Sequence, residues 1–260
     1  MSQSAAAALA PPPFELVLDD GEPLESDWHT VEFPLLRQLI RQAMAEQDRT
    51  DFFVGANIFV YYSRRQAWEV SEEEKKGLEK RAFRGPDVFW VGGVATDHDR
   101  QAWIAWEEGG RLPDVIVELL SPSTAHKDRT EKRDLYAQVF RTAEYFLYDP
   151  ETQGLEGMRL AGESYWPVRP AQNGRLWSEK LGVYLGLWQG EVEGRKGPWV
   201  RLFHPDGSLV LTAEEAQSER AETEHRRAEA ERRRAEAADE RAAAAEAEVA
   251  RLQALLQGRG

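Results

Sequence analysis

A single carboxylate lies inside an otherwise apolar run, Asp114-Val-Ile-Val-Glu118-Leu-Leu120. Such a run predicts a strand that is covered on both faces, where an ionised glutamate is costly unless a cation or hydrogen bonds compensate for the lost water. Because side chains alternate along a strand, Asp114 and Glu118 share one face. They lie about 13 Å apart at ~3.3 Å per residue, too far to hold one ion, so Asp114 is interpreted as a turn or strand-entry residue. Glu118 therefore needs partners from elsewhere in the chain.

Two other segments offer such partners. The run Arg84-Gly-Pro-Asp87-Val-Phe-Trp-Val91 places Asp87 at the entry of a neighbouring apolar strand. After the turn Ser121-Pro-Ser-Thr124, a helix is predicted from His126 to Arg141, and its apolar stripe is formed by Leu135, Tyr136, Val139 and Phe140. Lys132 falls on this stripe, so its ammonium group is expected to reach the cavity that holds Glu118. The alternative is a simple i,i+4 ion pair between Lys132 and Asp128.

Two carboxylates and a lysine at a strand end suit metal-assisted hydrolysis of a phosphodiester. Asp87 and Glu118 are expected to bind Mg²⁺ or Mn²⁺, since divalent cations of this kind prefer oxygen ligands. Without a cation the two carboxylates would repel and one would stay protonated. The cation would polarise the phosphate and activate a water, which Lys132 would orient or help to deprotonate.

Composition excludes several other classes. The 260 residues include no cysteine, which rules out a disulfide framework, a thiolate zinc site and a cysteine nucleophile. The sequence also lacks the Gly-x-Ser-x-Gly, P-loop and His-Glu-x-x-His motifs of other hydrolases. The first 13 residues do not resemble a signal peptide and no segment reads as a membrane span, which predicts a soluble, cytoplasmic protein without membrane contact. The net charge of −13 argues against a protein that coats nucleic acid nonspecifically.

The chain is expected to contain a flexible leader (1–13), one α/β or α+β domain (14–212) and a charged helical tail (213–260). A first helix is predicted from Glu32 to Glu46, with Thr30 as its cap and Pro34 in its first turn. Residues 71–81 are interpreted as a solvated loop or a short exposed helix, and residues 155–211 as antiparallel β structure. The strands predicted before them are Asn57–Tyr62, Asp87–Val91, Ala102–Trp106, Asp114–Leu120 and Glu144–Tyr148.

The tail is dominated by Ala, Glu and Arg and carries a heptad pattern. One seam position is Ala at 221, 228, 235 and 242, Val at 249 and Leu at 256, while the other is Glu, Glu, Ala, Ala and Leu from 224 to 252. This pattern predicts a coiled coil that serves self-association or the docking of a partner, and a homo-oligomer, with a dimer favoured, is expected. The alternatives are a helix stabilised only by i,i+4 ion pairs or a partly disordered tail.

The order of these motifs resembles a known superfamily. Pro86-Asp87, then Glu118-Leu-Leu120, then a helix with Lys132 and Tyr136, is similar to the PD-(D/E)XK nucleases, which have the restriction-endonuclease-like fold. The run from Pro113 to Thr124 and the segment Glu144-Tyr-Phe-Leu-Tyr-Asp-Pro150 closely resemble the Uma-two family of restriction-endonuclease-like bacterial proteins. The resemblance covers roughly residues 15–212, through Glu25–His29, Asp51–Gly55 and Trp106–Gly110. It implies a mixed central sheet flanked by helices, a β-rich C-terminal extension and a Mg²⁺-dependent endonuclease acting on DNA.

One position departs from the superfamily pattern. The lysine expected two residues after the glutamate is replaced by Leu120, and the family resemblance implies that Lys132 on the next helix takes its place. His29 matches a family position, but a capping or packing histidine is the alternative. Asp128 and Tyr136 are further accessory candidates.

The remaining expectations concern the substrate. Local phosphate contacts are predicted from four basic residues, Arg84, Lys127, Arg129 and Arg133. RNA and branched DNA remain alternative substrates, and a catalytically silent interaction protein that assembles through its C-terminal helix is the alternative function. Aromatic side chains such as Trp90, Trp103 and Trp199 are interpreted as core and strand residues rather than base-stacking groups.

Overall fold

The computed structural model describes residues 12–19, 26–78, 82–96 and 99–257. The chain divides into two compact units, Met1–Val210 and Leu211–Gly260. The predicted leader lies almost wholly outside the described residues. In the described part of the first unit the helices are α1 (Asp27–Glu46), α2 (Arg64–Lys76) and a composite helix formed by residues 125–140. The strands are β1 Phe52–Ala56, β2 Val60–Tyr61, β3 Val88–Gly92, β4 Trp103–Ile104, β5 Val115–Leu119, β6 Glu144–Asp149, β7 Gly154–Ala161, β8 Ser164–Pro167, β9 Leu176–Ser178, β10 Val183–Val192 and β11 Arg195–Phe203.

A six-stranded mixed sheet forms the centre of this unit, in the order β1-β3-β5-β6-β7-β8. Strands β5 and β6 are parallel, and every other pair in the sheet is antiparallel. All residues of β3 and β5 are buried, as their apolar sequences predict. The mixed α/β class expected from the sequence is therefore confirmed.

The two faces of the central sheet are covered by different helices. On one face, Val115 and Val117 pack in a core with Leu36 and Leu39 of α1. On the other face, Ile116 packs in a core with residues of the composite helix, including Tyr136 and Phe140. Because residue parity decides the face, Glu118 points toward the composite helix.

Helix α1 begins at Asp27 and not near Glu32 as predicted. Thr30 is not the cap; it lies in the first turn, and its hydroxyl donates a hydrogen bond to the carbonyl of Asp27 at 2.6 Å. Pro34 consequently lies inside the helix. The apolar spacing that marked the helix starts only where α1 meets the core, so it missed the first turn, which carries His29.

Helix α2 corrects the interpretation of residues 71–81 as a solvated loop or short exposed helix. The helix begins at Arg64, with the hydroxyl of Ser63 accepting a hydrogen bond from Gln66 N at 3.1 Å, and it buries Ala67 and Val70. Residues 79–81 lie outside the described part of the chain. The apolar face of α2 consists of only Ala67 and Val70, and the dense charges at residues 72–76 made it hard to recognise in the sequence.

The predicted strand Asn57–Tyr62 is also shorter than expected. Only Val60–Tyr61 forms strand β2, which pairs with β4. Asn57 has a positive φ of 49°, which ends the preceding strand β1. The strand β1 itself was not predicted.

The composite helix alternates between α and π turns. Its α turns are Ala125–Lys127 and Arg133–Leu135, and its π turns are Asp128–Lys132 and Tyr136–Phe140. A π turn holds an extra residue, so the apolar stripe expected for a regular α-helix is rotated. Val139 was predicted on the buried stripe but is 49% exposed, whereas Ala137 is buried.

Residues 154–203 form antiparallel β structure, as predicted. Strands β7 and β8 extend the central sheet, and β9, β10 and β11 form a three-stranded sheet. Strand β11 packs against α1. Trp199 is buried in this region and Trp103 in the second core, whereas Trp166 on the edge strand β8 is 64% exposed.

The second unit contains a 45-residue helix, Ala213–Gln257. Its start is a capping box: Glu215 N donates to the Thr212 hydroxyl at 3.2 Å, and Thr212 N donates to the Glu215 carboxylate at 2.8 Å. Most of its described side chains are exposed. Within the described parts of the chain, no helix combines the length and hydropathy needed to cross a bilayer.

Candidate active site

Asp87 and Glu118 meet where β3 and β5 lie side by side. Val88 is opposite Val117 in the antiparallel register, which places Asp87 opposite Glu118. The backbone N–H of Asp87 donates to Glu118 Oε2 at 3.4 Å, and the N–H of Leu119 donates to Asp87 Oδ2 at 2.7 Å. Hydrogen bonds from the backbone of Asp87 and of Leu119 to the two carboxylates thus hold together residues that are 31 positions apart in the sequence.

Lys132 reaches this pair from the composite helix. Its Nζ atom lies 3.0 Å from Glu118 Oε2 and 2.7 Å from Asp128 Oδ1. The side chain of Lys132 is only 14% exposed, and the carboxylates of Glu118 and Asp128 are buried. The pairing with Glu118 and the local i,i+4 pairing with Asp128, which the sequence presented as alternatives, occur together.

Two tyrosines donate hydrogen bonds beside these carboxylates. The hydroxyl of Tyr136 donates to Glu118 Oε1 at 2.5 Å, and that of Tyr145 donates to the carbonyl of Asp128 at 3.0 Å. Tyr136 was an accessory candidate, whereas Tyr145 was missed. A buried tyrosine in a strand next to Glu118 is a common core residue, so its sequence gave no sign of this role.

Burial and charge set the protonation of the site. Burial raises the pKa of Glu118 well above its usual value, and the ammonium of Lys132 opposes that shift. Burial also raises the pKa of Asp87, again against Lys132. Burial alone would lower the pKa of Lys132, but the carboxylates of Glu118, Asp87 and Asp128 outweigh it and hold this pKa above its usual value. Lys132 is therefore a stable ammonium ion beside three carboxyl groups.

The imidazole ring of His29 contacts the backbone of the strand that carries Glu118. Its Nδ1 atom is 2.8 Å from the Ser26 hydroxyl, and its Nε2 atom is 3.3 Å from the carbonyl oxygen of Leu119, the residue after Glu118. The ring is buried and lies edge-on to Trp28. His29 is thus a buried packing residue that also holds the end of β5, next to Glu118, in place.

The four predicted phosphate contacts have different surroundings. Arg84 is largely buried and pairs with Glu73 at 3.2 Å and Glu74 at 3.0 Å, so its guanidinium group supports α2 rather than facing solvent. Arg129 pairs with Glu156. In the described part of the chain, Lys127 and Arg133 form no ion pair. Partners far apart in sequence, such as Glu73 for Arg84, could not be read from the spacing.

A second buried carboxylate shows what a structural acid looks like in this fold. Glu144 accepts hydrogen bonds from the backbone N–H of Glu179 at 2.8 Å and from the Ser178 hydroxyl, and it pairs with Arg159 at 3.1 Å. These partners fix the turn after β9 against the central sheet. Glu118 differs because its partners belong to a cluster with an excess of carboxyl groups.

The family follows from a sequence comparison. A model of the Uma2 family, described as "Putative restriction endonuclease", matches residues 9–193. The chain belongs to the Uma2 family. The resemblance noted in the sequence is thereby confirmed.

Other comparisons add little to the Uma2 assignment. No curated protein matches the chain. Among solved structures, it is similar to a chain titled "Crystal structure of a putative nuclease belonging to DUF820 from Anabaena variabilis ATCC 29413 at 1.96 A resolution", with 13% sequence identity and a TM-score of 0.40. The match covers 61% of the Uma2 chain described here and 76% of the other.

The candidate site of this Uma2 protein leaves one carboxylate oxygen open to a divalent cation. Among the described residues, no group of three or more His, Asp or Glu side chains is arranged to hold a metal. Two carboxylates suffice for Mg²⁺, however, which keeps several waters and is commonly bound by one or two carboxylates together with substrate phosphates. Of the two carboxylate oxygens of Asp87, Oδ2 accepts from Leu119, and Oδ1 has no hydrogen-bond donor among the described residues. Asp87 and Glu118 are the residues that would hold such an ion.

Proposed function

We propose that this Uma2 protein is a Mg²⁺- or Mn²⁺-dependent endonuclease that hydrolyses phosphodiester bonds in DNA. The observation that carries the proposal is the contact of Lys132 with Glu118, directly beside Asp87. Asp87 directly precedes β3, Glu118 lies in β5, and Lys132 comes from the composite helix. The family description supports the reaction class, and its restriction-endonuclease designation favours DNA over RNA.

The residues divide the work of such a reaction. Asp87 and Glu118 bind the cation, which supplies polarisation of the phosphate and activation of a water when it is bound. Lys132 stays protonated because three carboxyl groups stabilise its charge. It orients the attacking water and offsets negative charge on the phosphate. Tyr136 holds Oε1 of Glu118 so that the carboxylate keeps one orientation.

The test is nicking of supercoiled plasmid DNA by purified protein with Mg²⁺ or Mn²⁺. We expect activity that EDTA removes and that falls to background in Glu118→Ala and Lys132→Ala. Arg65→Ala is the matched control, because it removes an exposed positive charge on α2 that pairs with Glu69 and has no place in the candidate site, and it should retain the activity. Equal nicking by the wild type and both site variants would identify a contaminating nuclease. RNA and a branched DNA junction, assayed in parallel, decide the substrate class.

A second candidate is a catalytically silent nuclease fold that acts by assembling through its C-terminal helix. The 45-residue exposed helix with its apolar seam favours self-association, with a dimer as the simplest product. The two candidates differ in cation binding. Calorimetric titration with Mn²⁺ should give saturable binding that Glu118→Ala abolishes if the site is catalytic, and no binding if it is silent.

A further inference from the structure

Two exposed arginines on α1 have no acidic partner on their own helix. Arg37 and Arg41 are one turn apart and face solvent, opposite the buried stripe that includes Leu36 and Leu39. Like charges at this spacing repel each other. In the described part of the chain neither arginine has an acidic partner, although the protein contains 46 acidic residues. The pair is therefore an unbalanced positive site on an acidic protein.

Both arginines line a cavity of about 330 Å³, which we call the arginine cleft. Its other walls are the strand β1 with Ile58, and residues Thr96, Asp99 and Arg100. Arg100 is neutralised by Glu108, which it contacts at 2.5 Å. Asp99 is exposed and has no ion pair within the described residues, and it is the one acidic residue among the described residues that line the cleft.

The strand β1 gives the cleft an edge of backbone groups. Within the described sheet it is an edge strand whose one neighbour is β3. Backbone N–H groups on the unpaired side of such a strand can donate to an anion, as can the forked guanidinium groups of arginine. The cleft therefore combines the two kinds of donor that proteins use for phosphate oxygens.

The cleft begins next to the candidate active site. Ala56 at the end of β1 lies opposite Val88, which follows Asp87 directly. The next residue, Asn57, donates its backbone N–H to the carbonyl of Asp87 at 2.8 Å, and Ile58 lines the cleft. The strand that lines the cleft therefore ends beside Asp87 and is hydrogen-bonded to its backbone through Asn57.

We propose that the arginine cleft binds backbone phosphates of the nucleic acid strand that flank the bond cut at Asp87 and Glu118. This inference rests on the proposed nuclease function and names the surface that holds its substrate. Arg37 and Arg41 take over the role that the sequence assigned to Arg84 and Arg129, whose charges are already paired. Asp99 weakens the binding by repulsion.

The experiment measures DNA affinity as a function of salt, by fluorescence anisotropy of a labelled 20-base-pair duplex in EDTA. Each phosphate contact contributes about 0.9 to the slope of log K against log salt concentration. Arg37→Ala/Arg41→Ala should reduce this slope by about 2 and weaken binding at every salt concentration. Asp99→Asn should tighten binding. All three positions are exposed, so the variants should keep the melting temperature of the wild type.

The matched control is Arg65→Ala/Lys76→Ala, which removes two exposed positive charges from α2 and changes the net charge by the same amount. An equal loss of slope in the control would show that only overall charge matters and would overturn the cleft. An unchanged slope in Arg37→Ala/Arg41→Ala would do the same. A polyglutamate peptide that binds through the two arginines, when DNA does not bind, would identify carboxylate and not phosphate as the ligand. That result would also overturn the proposal.

Failure of the cleft and failure of the nuclease function give different results. Nicking that requires Glu118 but shows no dependence on Arg37 and Arg41 keeps the function and removes the cleft. DNA binding that requires both arginines without any nicking keeps the cleft and removes the nuclease.

Discussion

The hydroxyl of Tyr136 donates a 2.5 Å hydrogen bond to Oε1 of the fully buried Glu118. The two residues come from different elements, and the tyrosine is itself fully buried. This bond favours the ionised carboxylate and opposes the rise that burial causes in the pKa of Glu118. The first prediction concerns its removal.

Tyr136→Phe should weaken Mn²⁺ binding and slow nicking, each by about 10- to 100-fold, because partners of metal-binding groups have effects of that size. Titration calorimetry and plasmid nicking measure the two quantities. Tyr165→Phe is the control, since its hydroxyl donates to the carbonyl of Thr142, away from the carboxylates. A loss in the control as large as that in Tyr136→Phe would mean that any buried hydroxyl of this core matters equally.

Lys132 should be separable from cation binding. Replacing it alone leaves the buried carboxyl groups of Glu118 and Asp128 without their positively charged partner, which costs about 3–5 kcal/mol. The double variant Lys132→Met/Asp128→Asn avoids most of that cost. It should retain Mn²⁺ binding, because the ammonium only repels the cation, but it should lose nicking.

Glu118→Gln should instead lose both Mn²⁺ binding and nicking, and Asp128→Asn alone should retain most of each. If Lys132→Met/Asp128→Asn nicked DNA at the wild-type rate, the ammonium would have no part in the reaction.

A third prediction concerns Glu32, which is completely buried in α1. Burial raises its pKa well above the usual 4.5, against the lowering effects of the Val200 backbone and of Arg201. The folded state therefore keeps a proton that the unfolded state loses, and the free energy of unfolding should fall as the pH rises above about 4.5, by at most about 1.4 kcal/mol per pH unit.

Glu32→Gln should remove this loss, so the variant should match the wild type near pH 5 and exceed it in stability at pH 8. Urea unfolding at a series of pH values measures the difference. A variant that is less stable than the wild type at pH 8 would show that Glu32 is ionised and paired with Arg201.

The C-terminal helix provides the fourth prediction. If its seam mediates dimerisation, Ala242→Glu/Val249→Glu should convert a dimer to a monomer in sedimentation equilibrium, since both positions lie on the seam. Ala243→Glu/Ala250→Glu introduces the same charges one residue away, off the seam, and should leave the mass unchanged. A monomeric wild type would contradict self-association outright.

The residues of the site were predictable because two local periodicities mark them. Strand alternation placed Glu118 on one face, and the apolar stripe placed Lys132 toward the same cavity. Both patterns depend on residues that are close in sequence, so they can be recognised without knowledge of the fold. The contact between Asp87 and Glu118 followed from the cost of burying one carboxylate alone.

Other features depend on contacts that no local pattern records. Arg84 was taken for a phosphate ligand because its pairing with Glu73 and Glu74 requires the fold. The start of α1 was missed because its first turn precedes the apolar stripe. Val139 was placed in the core because nothing in the sequence marks the π turns that rotate it outward.

Those π turns also make the number of residues in the composite helix part of the site. Lys132 ends the first π turn and Tyr136 starts the second, and both contact Glu118. One further residue inserted between Asp128 and Lys132 would exceed what the π turn absorbs and would turn the segments on either side by about 100° relative to each other. Lys132 and Tyr136 could then no longer stay on Glu118 while Tyr145 holds Asp128. This helix should therefore tolerate exchanged side chains far better than one inserted residue.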